Sequence, residues 1–176
     1  MKRLVWMAVI CLMAATIVHA QSPTADPVSS TLRQVLDRYA NNLVATAEQA
    51  PVEKYSYHPT AAQMTIGQTM LHVADVNNSA CSKVTGDPAP ERVKINDTDK
   101  DKLVEALKSS MDFCKQAFVK LTDAKLGDSI TMFNGRQGTR FSAALEVTND
   151  LIDHYAALAV YLRLNDMLPP TAQRKK

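Results

Sequence analysis

The chain has 176 residues, about one domain's worth at roughly 150 residues per domain. Its 46% hydrophobic and 22% charged residues, with 5 Gly and 8 Pro, exclude a disordered, collagenous or low-complexity chain. Twenty Lys and Arg against 18 Asp and Glu give +2. Lys2 and Arg3 supply that excess from a segment expected to be removed, so the mature chain is formally neutral, which argues against a nucleic-acid partner.

Met1 to Ala20 reads as a secretory signal peptide: the basic start Lys2-Arg3, an apolar core from Leu4 to Val18, and a small-x-small cleavage pattern at Val18-His19-Ala20. The apolar run is about 15 residues, below the ~20 needed to span a bilayer, so no membrane anchor should remain after cleavage. Cys11 lies within this segment and lacks a lipoprotein cleavage pattern. Residues 21–27 form a flexible leader. The protein is expected in the periplasm or outside the cell.

Four helices follow. The first runs from about Pro27 to Glu48, with Leu32, Leu36, Tyr39 and Leu43 on one face and Val28, Val35 and Val44 widening it. Ala50-Pro51 stops it, and residues 51–64 are a loop. The second begins after Thr65, where Thr65-Ile66-Gly67-Gln68 has the form of a capping box. Its face is Ile66, Met70, Val73, Asn77, Ala80 and Val84, and Gly86 suits its C-terminus. Residues 87–97 are a polar connection. The third starts near Thr98 or Asp99 and carries Leu103, Leu107 (with Ala106), Met111, Cys114, Phe118 and Leu121. Residues 128–138 hold a short extended piece and a turn at Asn134-Gly135. The fourth runs from after Thr139 to about Asn165, with Phe141, Leu145, Thr148, Ile152, Tyr155, Ala159 and Leu162 on its face and Leu151 and Leu158 alongside. No segment of strand period is long enough to build a sheet, so the class is all-α, a single four-helix bundle over residues 28–170, with a tail at 171–176.

Two cysteines remain after cleavage, Cys81 and Cys114. In an oxidising compartment an even count suggests a disulfide; the alternative is two buried free thiols. Each lies about 15 residues into its helix. They come level only if helices two and three run parallel, and about 13 connecting residues can reach ~43 Å while 20 helical residues rise ~30 Å. The disulfide and a long crossover between helices two and three therefore support each other.

Three histidines remain: His58, His72 and His154. His58 sits in a loop before Pro59 and reads as exposed. A lone helical His is usually structural, but Asp150 precedes His154 by four and leaves the same helical face. If helices two and four are neighbours, His72 can meet them. Two imidazoles and a carboxylate leave open coordination positions, as catalytic metal sites do. The bland alternative for Asp150, near Glu146 and Asp153, is a solvated face.

KYSYHPTAAQMTIGQTMLHVADVN (Lys54 to Asn77) and DLIDHYAALAVYLRLNDMLPP (Asp150 to Pro170) resemble the DinB-like family, the DinB/YfiT metalloenzymes. The shared features are Tyr55-Ser56 before Pro59-Thr60, Gly67-Gln68 before His72, His154-Tyr155, and Tyr161 and Arg163 before Pro169-Pro170. The resemblance covers roughly residues 28–170. It implies a four-helix bundle with the same crossover and a divalent metal held by three histidines, one on helix two and two on helix four. His72 and His154 match two of these positions, whereas Asp150 stands where the family has a third His. A carboxylate also binds Zn²⁺, Ni²⁺, Mn²⁺ or Fe²⁺, so the site is either altered or lost.

Two functions follow. One is a metal-dependent hydrolase or transferase acting on a small-molecule substrate through metal-activated water, with His72, Asp150 and His154 as ligands. Hydrolysis fits an exported protein better than transfer of cytosolic thiols. Tyr155 and Tyr161 are the nearest polar groups by helical position, though packing is the simpler reading for both. The other is a disulfide-stabilised bundle without catalysis, a binding or stress-associated protein that has lost the metal. The resemblance also admits a homodimer.

Overall fold

The computed structural model describes residues 25–133 and 135–173. The signal peptide expected at 1–20, residues 21–24 of the leader, Asn134 of the expected turn and the last three residues of the tail lie outside the described residues. The elements are α1 (Pro27–Gln49), α2 (Ile66–Thr85), α3 (Lys100–Val119), a hairpin of β1 (Ser129–Thr131) and β2 (Gln137–Thr139), and α4 (Arg140–Leu164). This is the all-α four-helix bundle that the periodicity predicts. The extended piece near residue 130 is one half of the antiparallel hairpin, with Ile130 opposite Gly138.

α1 packs on α3 and α4, and α2 packs on the same two, so α1 and α2 occupy opposite corners. Leu36, Leu43, Ile66, Met70, Leu107, Phe118, Leu151 and Leu158 are among the fully buried side chains between them. Each contributes about 1.5–3 kcal/mol of apolar burial. Cys81 and Cys114 form a disulfide with Cα atoms 5.2 Å apart. Both lie toward the C-terminal ends of their helices, so α2 and α3 run parallel and residues 86–99 cross back along the bundle. Gly86, at φ 85°, releases the chain from α2 in the left-handed region.

Side chains from distant segments satisfy the helix ends. The Thr65–Gln68 capping box forms as expected, and Thr139 with Ser142 makes a second at the start of α4. Asp26, the residue before α1, makes no side-chain cap. Asp123 replaces it, accepting from the Val28 and Ser29 N–H groups at 3.0 and 2.7 Å. Cations hold the C-terminal carbonyls of three helices. Lys100 donates to Glu48 and Ala50 at α1, Arg140 to Val84 at α2, and Arg33 to Phe118 and Leu121 at α3. The last turn of α3 tightens as Lys120 N–H bonds to Ala117 rather than to the carbonyl four back. Leu121, expected on the helix, is therefore buried just beyond it.

Two of the expected faces are displaced. Val28 is 43% exposed, and α1 buries Ser29, Ala40 and Ala47 instead. On α4, Phe141, Leu145 and Ile152 stay more than a third exposed, while Ala143, Ala144, Val147, Leu151 and Leu158 form the core. α4 carries apolar residues around most of its circumference, so periodicity alone cannot choose the buried face; contact with α1 on one side and α2 on the other does. In the loop after α1, Tyr55 is fully buried and donates its hydroxyl to Ala47 at 2.7 Å. Burial pushes the Tyr55 phenol well above its ordinary range.

Candidate metal centre

His72 stands in the first half of α2, set there by the capping box at Thr65 and by the burial of Ile66, Met70 and Val73 on the neighbouring face. Asp150 and His154 are one turn apart on α4, where Leu151, Tyr155 and Leu158 anchor the core face beside them. Packing of α2 on α4 brings the three together. Nε2 of His154 lies 3.3 Å, and Nε2 of His72 3.9 Å, from the same oxygen, Oδ1 of Asp150. The imidazoles meet edge to face with centroids 4.9 Å apart. One donor atom from each residue falls within 4.8 Å of the others.

The chemistry of this donor set fits a divalent cation. Two imidazole nitrogens 3.3 and 3.9 Å from one carboxylate oxygen are a set of electron-pair donors that a cation can share. The second oxygen of Asp150 is buried without a hydrogen-bond partner among the described residues, leaving the carboxylate with unused acceptor capacity. Nitrogen and oxygen donors in a three-residue set suit Zn²⁺, Ni²⁺, Mn²⁺ or Fe²⁺ with positions open to water or substrate. The hydrogen bond to Asp150 raises the His154 pKa above the ordinary imidazole value; burial opposes this, and the charges of Asp150 and Asp153 reinforce it.

The other candidate groups stand elsewhere. His58 is exposed on its loop, with Nδ1 2.7 Å from the Thr60 carbonyl. Tyr155 packs edge to face on Tyr39 and bonds to Thr171, and Tyr161 packs on Tyr57. Both tyrosines are buried bundle residues, as the packing reading expects.

Two clefts flank the triad. One, of about 360 Å³ between α2 and α4, is lined by Asp150 with Val76, Ala80, Phe133, Glu146 and Asp153. Oε2 of Glu146 is buried with no hydrogen-bond partner among the described residues. Glu146 carried a usable signal, since it precedes Asp150 by four and shares its face. The second cleft lies between α2 and the crossover and has His72, Asp75 and Arg92 in its wall. No spacing rule ties Arg92 to His72, so this cleft was not readable from the sequence.

The model of the DinB superfamily matches residues 35–158. Among solved structures, a DinB-like protein from Bacillus subtilis is similar with a TM-score of 0.65 at 22% identity, over 82% of this chain and 99% of its own. A conserved protein from Enterococcus faecalis is similar at 0.60 and 16% identity, over 78% and 96%. These likenesses show a shared fold. A comparison with curated proteins finds no match.

Proposed function

The chain belongs to the DinB superfamily, and from that premise we propose that it is an exported metal-dependent hydrolase of small molecules, with His72, Asp150 and His154 as metal ligands. The observation that carries the reading is the convergence of both Nε2 atoms on Oδ1 of Asp150. Held by His72, Asp150 and His154, a divalent ion would supply Lewis acidity toward a substrate oxygen and toward water. Asp150 positions the His154 imidazole, whose Nε2 is 3.3 Å from its Oδ1. His154, 12% exposed, is the fixed ligand, and His72, 41% exposed, faces the entrance. Val76, Ala80 and Phe133 give the neighbouring cleft apolar surface, and Glu146 offers it a carboxylate able to take a proton.

Export is supported by the Lys2-Arg3 start with its apolar run and by the disulfide, which is compatible with an oxidising compartment. No helix of the described residues is long and apolar enough to cross a membrane. Outside the cytosol, free thiol cofactors are scarce and water is not, which favours hydrolysis over thiol transfer.

A non-catalytic bundle is the second reading. It is favoured by the contact at 3.3 Å between His154 and Asp150, which lets the pair satisfy itself through a proton. Metal analysis separates the two. Mature protein without a His tag, loaded and dialysed, should retain about one Zn²⁺, Ni²⁺ or Mn²⁺ per chain, as a three-residue site with open positions does. His72→Ala and His154→Ala should each lose it while keeping their helical circular dichroism. Metal-free wild type whose melting temperature ignores all three ions would sink the hydrolase reading.

A further inference from the structure

The groove on the His72 side contains a cation that the reaction proposed above does not use. His72 is the most exposed member of the triad, and its ring forms part of a groove of about 450 Å³ between α2 and the crossover. Leu71 and Ile95 give this groove apolar surface, and Asp75, Asp97 and Arg92 give it charge. Among the described residues that line it, Arg92 is the one Lys or Arg. Asp75 follows His72 by three on α2 and so shares its side of the helix. Nη2 of Arg92 lies 2.6 Å from Oδ2 of Asp75, which holds the guanidinium within about one helical turn of the triad.

The crossover is fixed where it forms this wall. The carbonyl of Asp97 packs so tightly on Gly67 that a Cβ there would lie 1.6 Å from it. Arg92 stands five residues upstream with its side chain 77% exposed. An ion pair this exposed is weak, so a second anion can displace Asp75 readily. A guanidinium offers a planar fork matched to carboxylate or phosphate oxygens.

We propose that Arg92 is a specificity-determining residue that binds the carboxylate or phosphate of an anionic substrate whose reacting end lies at His72, Asp150 and His154. Asp75 is the resident counter-ion, which keeps the guanidinium at the groove when no substrate is bound. Asp97 repels anions, so anion entry depends on Arg92. The assignment of the reacting end rests on the metal reading above.

The test is calorimetric titration of Zn²⁺-loaded protein with acetate and with methylphosphonate, using acetamide as the neutral counterpart. Either anion should bind and acetamide should not; the stronger of the two identifies the substrate group. Arg92→Gln should weaken the anion about fivefold, and Asp75→Asn, which frees the guanidinium, should tighten it about twofold, shifts of the size an exposed charge contact gives. Both variants should bind Zn²⁺ as the wild type does. Anion binding unchanged in Arg92→Gln, or acetamide binding equal to acetate, would overturn the proposal. Failure of the wild type to take up Zn²⁺ would instead overturn the metal reading. Titrating that metal-free protein would still decide on Arg92, for or against, by whether anion binding depends on it.

Discussion

Breaking the bridge between α2 and α3 should remove a large share of the stability. Cys81 and Cys114 are separated by 33 residues, and the chain-entropy relation for a loop of that length gives about 3.7 kcal/mol at 25 °C. That compares with ~5–15 kcal/mol for a whole domain. Both cysteines are fully buried, so reductant reaches them only on unfolding, and the effect is read at equilibrium in urea with and without dithiothreitol. Reduction should lower the unfolding free energy by about that amount and the melting temperature by roughly 7–15 °C. It should also raise the urea m-value, because the unlinked denatured chain exposes more surface. Thiol titration of denatured, unreduced mature protein should find no free thiol. Two free thiols would show that the bridge is absent. An intact bridge whose reduction costs less than about 1 kcal/mol would refute the entropic reasoning behind the magnitude.

Gly67→Ala should destabilise the protein by about 1–3 kcal/mol, the usual cost of forced overpacking, because the added Cβ meets the Asp97 backbone and not a flexible side chain. Urea unfolding within ±0.5 kcal/mol of wild type, the range of an uninvolved surface change, would contradict the close approach. Asp123 gives a pH signature. Burial raises its pKa, but hydrogen bonds from Ser29 and Val28 and the charge of Arg33 outweigh it and hold the carboxyl below its ordinary value. A lowered folded pKa stabilises above the unfolded value of about 3.9 and loses that stabilisation as pH falls through the folded one. The stability gap between wild type and Asp123→Asn should therefore be full at pH 6 and shrink below about pH 3.9. A gap unchanged down to pH 2 in urea midpoints would refute the charge-based cap.

Most of the fold was legible because helix period, capping residues and Pro or Gly stops are local. Thr65 and Gln68 announce the start of α2 and form the cap there. What the local pattern leaves undecided has a common cause. Phe141, Leu145 and Ile152 on α4 have a helical spacing as good as that of Leu151 and Leu158, and only the neighbouring helices select which set is buried. Asp123 at the start of α1 comes from a segment more than 90 residues away, and no pattern in residues 25–30 announces it. At the candidate site, His154 and Asp150 were readable as a pair because four residues make one turn. His72 joined them only through an assumed adjacency of helices two and four.

The sequence by itself determined the four helices, most of their ends and the amphipathic pairing of Asp150 with His154, since all of these depend on neighbours within a turn or two. With its cysteine positions it also favoured the parallel crossover. The tertiary structure decided that α2 lies beside α4, which brings His72 within 3.9 Å of an Asp150 oxygen. It also decided that the crossover closes on Gly67 and holds Arg92 against Asp75. Those contacts join residues 17 to 78 positions apart along the chain, and packing of whole helices, not local preference, sets them.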